Sequence, residues 1–402
     1  MKKSILLSAS LFHALNDAST VALPMIFPVL YSRQLMIGSY SQIGILSNLG
    51  LLVTFFSQFF ITRWEHRFET KYLFLFSISG ISLFLYLLTF SRSFGTLLFL
   101  YLLMRFFVSF YHPIGISWVS RSYSGEGMDF AMGIQSGSGN LGVFIAFISV
   151  GYLAQSNGWT FPIRSWAAVC LVVGIAAFLV IRKTGTREAR PPEKIKLSQW
   201  TGTLRDIKEF IPGIAFGGAC WGTTIFYAPS LFNHKYHVAL GKTGIILALW
   251  ILLGTIVTYG FGILSRRFGR WNVCGVGLAG AGLSLLGLGL STHRTQALIF
   301  LFLFGGFLFL TYPAYQSFVG SRSLQKNQTI AFCLVAGLQM ISGSIVALIS
   351  GFLSDFYGIS SAFLFLSFIG LVCAFFFFSR KKTVSHFEPP RKEKESFPAE
   401  GL

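Results

Sequence analysis

A succession of twelve apolar runs, each long enough to cross a lipid bilayer, is the feature that most constrains this chain. A membrane-spanning helix needs about 20 mostly apolar residues. Of the 402 residues, 53% are hydrophobic and only 11% are charged, too few charges for the surface of a soluble protein of this size. We therefore predict an all-α integral membrane protein with twelve transmembrane helices. The runs cover residues 5–30, 40–62, 72–90, 96–120, 130–155, 162–182, 208–232, 243–265, 271–291, 296–320, 329–354 and 360–380.

The twelve runs fall into two groups of six, separated by a polar segment. That segment carries Pro191-Pro192 and alternating charges, a pattern typical of a solvated linker. After the last run the sequence is rich in Lys, Glu and Pro, which predicts a disordered tail. We expect an N-terminal six-helix half, a cytoplasmic linker, a C-terminal six-helix half and a cytoplasmic tail, at residues 1–182, 183–207, 208–380 and 381–402.

The two halves resemble each other at an offset of about 200 residues. Tyr111-His112-Pro113 corresponds to Thr311-Tyr312-Pro313, and Gly151-Tyr152-Leu153 corresponds to Gly351-Phe352-Leu353. Six spans return the chain to the side on which it started, so the halves should be parallel repeats about an axis along the membrane normal. The sequence therefore predicts two pseudo-symmetric six-helix bundles.

The basic residues indicate how the chain is oriented. The formal net charge is +18, and most of the 32 Lys and Arg residues lie on the same side as the two termini. Because cytoplasmic loops are enriched in Lys and Arg, we predict a multi-pass protein of the cytoplasmic (inner) membrane with both termini cytoplasmic. This distribution accounts for the basic charge without nucleic acid. The expected partners are the lipid bilayer and a small-molecule substrate, and we expect a monomer.

Several of these features carry a family resemblance. The twelve spans and the central linker resemble the major facilitator superfamily, as does the loop Gly262–Arg270 (GILSRRFGR) after span eight. Arg266 stands where that family usually has Asp. Within the superfamily, three segments are similar to the fosmidomycin resistance protein group: His13–Asp17, Tyr111–Pro113 and Gly137–Gly142. The resemblance implies the major facilitator fold and alternating access, with export of a small organic or drug-like compound by a transporter, not an enzyme.

Two charged residues inside the spans are the strongest functional candidates. An ionisable residue in a membrane span is costly and usually functional. Helix geometry places Asp17 about 18 Å and Arg105 about 16 Å from the cytoplasmic side. In the superfamily that the chain resembles, helices one and four line the central cavity, so we expect these two residues to face each other. His13 and His112 both lie about 12 Å from that side.

These four residues suggest proton coupling. In our hypothesis Asp17 exchanges a proton, Arg105 favours its ionised form, and His112 or His13 relays the proton. The alternative is a permanent Asp17–Arg105 bridge that only fixes helix packing. No cofactor and no metal ion are expected, and the proton gradient is the expected energy source. In the second half three of these positions are glycines, so coupling is expected in the first half alone: Gly213, Gly217 and Gly305.

Other polar, aromatic and small residues of the spans are further candidates. Aromatic rings with a few polar groups suit an amphipathic organic substrate, and helix packing or an interfacial belt is the alternative for each. The substrate-binding candidates are Asn16, Tyr111, Trp221, Tyr227, Tyr312, Tyr315, Gln316 and Gln339. The candidates for helix packing or gating are Pro24, Pro113, Pro313, Gly137, Gly139, Asn140, Gly142, Arg267 and Gly269.

Other functions stay open at this point. The same fold could serve an uptake symporter or uniporter for a small organic anion or nutrient attracted by Arg105. A lipid flippase or membrane sensor is the alternative of another class, because an aromatic cavity suits lipid as well. The sequence shows no nucleophile beside a base and no metal-binding pattern, which argues against an enzyme.

Overall fold

The computed structural model describes residues 2–64, 67–123, 126–183, 197–322 and 328–379. Within these residues every regular element is helical, which confirms the all-α prediction. The helices are α1 (Lys2–Ser32), α2 (Tyr40–Trp64), α3 (Thr70–Leu88), α4 (Phe94–Val108), α5 (Tyr111–Ser122), α6 (Glu126–Asn157), α7 (Thr160–Ile181), α8 (Leu197–Ile207), α9 (Ile211–Ser230), α10 (Leu240–Phe268), α11 (Arg270–Leu290), α12 (Arg294–Arg322), α13 (Gln328–Tyr357) and α14 (Ser360–Ser379).

Ten stretches of the described chain are long and apolar enough to cross a membrane. One of them, Phe94–Val119, covers α4 and α5 together. The two helices are separated at Ser109 and Phe110, just before Pro113. A proline has no N–H, and its ring clashes with the carbonyl four residues earlier, here that of Ser109. The predicted span 96–120 is therefore two consecutive helices.

The other two spans, α1 and α9, begin the two halves and are enclosed by the bundle. Helix α1 contacts α5, α6, α7 and α9, and α9 contacts α13 and α14. Most of their residues are buried, so neither helix needs a continuous apolar surface toward lipid. Helix α1 can therefore keep polar residues inside the bundle. With these two helices the fold has the predicted twelve spans in two six-helix bundles.

The halves meet through two equivalent helix pairs, α2 with α13 and α6 with α10. A Cβ atom on Gly44 of α2 would lie 3.1 Å from the Ala347 carbonyl oxygen of α13. A Cβ atom on Gly244 of α10 would meet the Phe147 carbonyl oxygen of α6. These contacts correspond to each other under the sequence repeat, as expected for pseudo-symmetric bundles.

We call the side where α1 begins and α14 ends the terminal side, and the opposite side the far side. On the far side, each half caps a helix of the other. The carboxylate of Asp355 in α13 accepts hydrogen bonds from the backbone N–H groups of Tyr40 (2.6 Å) and Ser41 (3.0 Å) at the start of α2. Gln155 Oε1 in α6 accepts one from the N–H of Gly241 (2.9 Å) at the start of α10. Both caps satisfy N–H groups that a helix cannot satisfy itself.

Hydrogen bonds between described residues of the two halves extend from the far side to the middle of the bundle. The deepest join Asn48 Nδ2 to Ser344 Oγ (2.7 Å) and Asn140 Nδ2 to Thr255 Oγ1 (3.0 Å). The other bonds of this kind lie on the far side, among them that between the Tyr40 hydroxyl and His234 Nδ1 (2.9 Å). The molecule is thus closed on its far side.

Part of the predicted linker is helical. Residues 197–207 form α8, which packs against α12 and α13. Thr203 and Ile207, one turn apart on α8, are both buried, so this segment is attached to the second half and is not solvated all round. The rest of the predicted linker through residue 196, apart from Lys183, and the predicted tail, residues 381–402, lie outside the described residues.

Candidate functional site

Asp17, near the middle of α1, lies in a cluster of polar side chains. Its Oδ2 is 3.1 Å from Nε2 of His13, one turn earlier on the same helix. Its Oδ1 is 3.3 Å from Nε2 of His112 in α5 and accepts a hydrogen bond from Asn16 Nδ2 (3.1 Å). The exposed fraction of the side chains rises from 8% for His13 to 23% for Asp17 and 35% for His112. The cluster therefore opens on the side of His112.

The contact between His13 and Asp17 requires a bound proton. The Nδ1 atom of His13 lies 2.7 Å from the backbone carbonyl oxygen of Gln135, which can only accept, so Nδ1 carries a hydrogen. In a neutral imidazole, Nε2 would then present a lone pair to the Asp17 carboxylate, which also only accepts. Two acceptors 3.1 Å apart need a second proton, either on Nε2 or on the carboxyl group. This pair therefore has the geometry of a proton-binding site.

Helices α5 and α6 fix the orientation of His13. The ring of Tyr111 in α5 stacks on the imidazole, with 4.7 Å between ring centres. The Tyr111 hydroxyl donates to the Ala9 carbonyl (2.8 Å) and accepts a hydrogen bond from Gln135 Nε2 (2.9 Å). Gln135 of α6 thus acts twice, through its backbone oxygen on His13 and through its amide on Tyr111.

Gly139 of α6 leaves the space that the cluster occupies. A Cβ atom at this position would lie 2.7 Å from both Asp17 Oδ2 and His13 Nε2. One turn further along, Gly142 approaches the backbone of Ala14 so closely that a Cβ atom would meet its carbonyl. Helices α1 and α6 therefore touch at these two positions. The predicted packing residue Gly137 is less constrained, with the Tyr259 hydroxyl 3.6 Å from a Cβ atom there.

The predicted contact between Asp17 and Arg105 is wrong for this conformation, whereas a role of Arg105 in coupling stays a prediction. Arg105 is buried, and its Nε donates to the Thr54 hydroxyl (3.1 Å) and the Gly50 carbonyl (3.3 Å) of α2. No described carboxylate lies within 4 Å of its guanidinium. The depth of a residue in a helix does not fix the direction of its side chain. Arg105 joins α4 to α2, and the two histidines are the partners of Asp17.

The second half has uncharged residues where the first half has the cluster. The Tyr312 hydroxyl donates to the Gly217 carbonyl (3.0 Å). The amide Nε2 of Gln339 would lie 3.7 Å from a Cβ atom on Gly217. The same positions thus meet in both halves, but here they present a phenol and an amide. In the repeat, Tyr312, Gly217 and Gln339 correspond to His112, Asp17 and Gly139.

The position of Arg105 also has no charged equivalent in the second half. Its counterpart is Gly305, and the indole Nε1 of Trp250 would lie 2.7 Å from a Cβ atom there. Trp250 in turn corresponds to Gly50. Of these paired positions, the large residue is thus Arg105 on the fourth span in the first half and Trp250 on the second span in the second half.

The remaining substrate-binding candidates differ in exposure. Gln316 is exposed, and Trp221, Tyr312 and Gln339 are half-buried. Asn16 is buried beside Asp17. Three further rings are buried in helix contacts in this conformation, and their contact with substrate stays a prediction: those of Tyr111, Tyr227 and Tyr315. The Tyr227 hydroxyl, for example, donates to the Ala347 carbonyl (2.7 Å) of α13 within the second half.

The packing and gating candidates also occupy different environments. Asn140 joins the halves through its bond to Thr255. Gly269 has φ +83° and links α10 to α11, a conformation that favours glycine. Arg267 is exposed, with its guanidinium 5.2 Å from the centre of the Phe268 ring.

The three predicted prolines do not act alike. Pro24 and Pro313 lie inside α1 and α12, which continue through them. Pro113 coincides with the helix break described above. Pro113 and Pro313 therefore occupy equivalent positions in the two halves without giving the same local structure.

The cluster could bind a metal ion as well as a proton. His13, Asp17 and His112 are the one group in the described chain whose potential ligand atoms all lie within 4.8 Å of one another. Two imidazoles and a carboxylate suit a transition metal. Our expectation that the protein binds no metal stays a prediction, tested below with a chelator.

Sequence reasoning missed three residues of this site. Gln135 contributes a backbone carbonyl, which has no signal in the sequence. Gly50 likewise contributes only its backbone carbonyl, to Arg105, whereas a search for polar side chains on the neighbouring span could have found Thr54.

Comparison with known proteins agrees with the fold. The sequence profile described as Major Facilitator Superfamily matches residues 6–347. A search of curated proteins finds no significant match.

Several solved structures are similar to the whole chain. A bacterial homologue of the human lysosomal transporter Spinster, inward-facing and unoccupied, gives a TM-score of 0.82 at 16% identity, with 97% of this chain and 99% of that chain covered. A POT family transporter in complex with a thioalcohol-conjugated peptide gives 0.80 at 14% identity, with 94% and 96% covered. The nucleoside transporter NupG gives 0.72 at 14% identity, with 94% and 99% covered. At these identities the similarity establishes the fold alone.

Proposed function

Because the chain belongs to the major facilitator superfamily, we propose that it is a secondary active transporter that exports a small organic or drug-like compound in exchange for protons. The observation that carries the proposal is the contact between His13 and Asp17, where two acceptor groups 3.1 Å apart need a shared proton. A coupled transporter requires such a group at a depth that alternating access can expose to either side.

Proton release from this site would change the packing of α1. Without the shared proton, the Asp17 carboxylate faces the His13 lone pair, and the two repel each other. Helix α6 packs directly against this pair at Gly139, so the repulsion can be reduced only if α1 moves relative to α6. Since α1 also contacts α9 of the other half, this movement would reach the interface between the halves. His112, the most exposed member, would pass the proton between the site and solvent.

The proposed orientation places the terminal side in the cytoplasm of a cell with a cytoplasmic (inner) membrane. It rests on the enrichment of Lys and Arg on that side. The conformation closed on the far side would then be open to the cytoplasm. The Spinster homologue is described as inward-facing, which is the state that this orientation would give.

Export is supported by the three segments that resemble the fosmidomycin resistance protein group. Uptake of an organic anion has less support, because the Arg105 guanidinium that would attract the anion is buried and bonded to α2.

The test is proton movement in liposomes with a trapped pH-sensitive dye, after addition of a panel of amphipathic compounds. Wild-type protein should give a substrate-dependent pH change, and Asp17→Asn should abolish it. Asp206→Asn, which alters an exposed carboxylate of α8, is the matched control and should behave as wild type. Proton movement opposite to the substrate indicates export, and movement in the same direction indicates uptake. A compound that wild type transports without any pH change would refute proton coupling.

The same assay tests the metal prediction. Addition of a strong chelator should leave both transport and the pH change unaltered. Loss of transport on chelation, restored by a divalent ion, would show that the cluster holds a metal.

A further inference from the structure

A second titratable side chain lies on the far side, away from the Asp17 cluster. His234 belongs to the turn Leu231–Lys235 that follows α9 in the second half, and its ring reaches the first half. Its Nε2 is 2.9 Å from Ser32 Oγ and 3.1 Å from the Pro28 carbonyl oxygen, both at the end of α1. Its Nδ1 is 2.9 Å from the Tyr40 hydroxyl at the start of α2. One imidazole thus joins the second half to two helices of the first.

The neutral imidazole satisfies all of these contacts. The Pro28 carbonyl can only accept, so Nε2 carries a hydrogen. The Tyr40 hydroxyl can then donate to the lone pair of Nδ1, and every polar atom of the neutral ring is satisfied. A second proton on Nδ1 would reverse this bond, because the Tyr40 oxygen would then have to accept, and would place a positive charge on a half-buried ring. Burial lowers the pKa of His234, against the opposing effect of the hydrogen bond to Pro28.

The charged groups around His234 do not compensate an imidazolium. From its own turn, the Lys235 ammonium donates to Ser360 Oγ (2.6 Å), and His237 is exposed. At the end of α1, Arg33 is exposed and Tyr31 lies with its ring centre 5.1 Å from the imidazole. From α13, the Asp355 carboxylate is bonded to backbone N–H groups of α2. No described carboxylate lies within 4 Å of His234.

We propose that His234, bonded to Pro28, Ser32 and Tyr40, is a pH-sensitive latch that holds the far side closed and is released when it takes up a proton. The inference rests on the proposed function, because it assumes that the far side faces the outside and opens during transport.

The direction of the pH effect follows from the neutral state of the latch. An exposed histidine has a pKa of about 6.5, and the closed state lowers that of His234. The closed state is therefore favoured most above about pH 6.5 and loses this advantage as the pH falls below that value. An acidic exterior would open the transporter on the side where an exporter must release its substrate and take up a proton.

The experiment measures the far-side distance between the halves with two spin labels. Asn157 and Tyr357 are both exposed and occupy equivalent positions at the far ends of α6 and α13. Each is replaced by cysteine in a protein whose native cysteines have been substituted. Acidification from about pH 7.5 to about pH 5.5 should populate a longer distance in the wild-type background. His234→Gln, which keeps a donor and an acceptor but cannot titrate, should abolish this shift.

His237→Gln is the matched control, three residues away on the same loop, and should retain the shift. The position has φ +52°, and Gln34 of this protein tolerates φ +46°. Tyr40→Phe removes the hydroxyl that donates to the latch and should populate the longer distance already at neutral pH. This variant keeps the test decisive if His234→Gln does not fold.

The Asp17→Asn background separates the latch from the central site. The latch predicts that the pH shift persists in Asp17→Asn and disappears when His234→Gln is added. A shift that Asp17→Asn removes and His234→Gln leaves intact would overturn the latch and support the central site alone. A distance that does not change with pH in the wild-type background would also overturn the latch, without bearing on proton coupling at Asp17.

Discussion

The close approach of α6 to α1 at Gly139 determines whether the proton-binding cluster can form. Gly139→Ala would place a methyl group 2.7 Å from both Asp17 Oδ2 and His13 Nε2. The displaced carboxylate should reduce substrate-driven proton movement in liposomes by at least about tenfold. Gly133→Ala on the same helix is the control, since nothing lies within 4 Å of the added methyl group. Wild-type proton movement in Gly139→Ala would contradict the described geometry.

Arg105 should act on stability and not on coupling. Arg105→Gln removes hydrogen bonds from a charged donor to α2, at a cost of about 1.5–3 kcal/mol. We expect a lower melting temperature in detergent but an unchanged number of protons moved per substrate. The reverse pattern, unchanged stability with lost coupling, would restore the original hypothesis of a coupling role.

At the scale of single residues, the sequence identified the right carboxylate, that of Asp17, but assigned it the wrong contact, Arg105. Asp17 and the two histidines could be predicted because ionisable residues are rare in membrane spans. The direction of Arg105 could not, because it depends on the Gly50 carbonyl and the Thr54 hydroxyl on another helix. The role of Gln135 was also unpredictable, since its contact with His13 uses a backbone oxygen that every residue has.

Among the helices, the reciprocal caps on the far side are the contacts whose strength can be changed most cleanly. Asp355→Ala removes two charge-assisted bonds to the start of α2, whereas Gln155→Ala removes one neutral bond to the start of α10. Loss of a cap costs about 1–2 kcal/mol, so the far side should open more often in Asp355→Ala than in Gln155→Ala, and least often in the wild type.

The measurement is the alkylation rate of a cysteine at position 344, in a protein whose native cysteines have been substituted. Ser344 is buried and bonded to Asn48 across the halves. Asp355→Ala should raise this rate up to about tenfold. Equal rates in all three proteins would mean that the caps do not hold the far side closed.

The number of membrane spans could be predicted from the sequence better than the breaks within them or the short helix between the halves. The apolar runs identified all twelve spans because lipid imposes a minimum apolar length. The division of span four into α4 and α5 depends on local backbone geometry around Pro113, whereas the similarly placed Pro313 leaves α12 intact. Helix α8 was missed because its short run has few apolar residues and is buried only through contact with α12 and α13.

For the molecule as a whole, the repeat suggests that the two halves do different work. The titratable groups of the cluster belong to the first half, and the equivalent positions of the second half carry a phenol and an amide. His112→Gln should therefore flatten the pH dependence of transport with little change in KM. Tyr312→Phe should raise KM about fivefold, as expected for one lost hydrogen bond, with an unchanged pH profile. A raised KM in His112→Gln together with a flattened pH profile in Tyr312→Phe would contradict this assignment of coupling to the first half and substrate binding to the second.

The central claim is that one proton, held between His13 and Asp17, is exchanged for substrate. The most direct measurement is proton release at equilibrium, when a transported compound is added to purified protein in weak buffer with a pH indicator. Wild-type protein should release about one proton per molecule, and Asp17→Asn should release none while still binding the compound. Equal release by both proteins, or binding to the wild type without release, would contradict the claim.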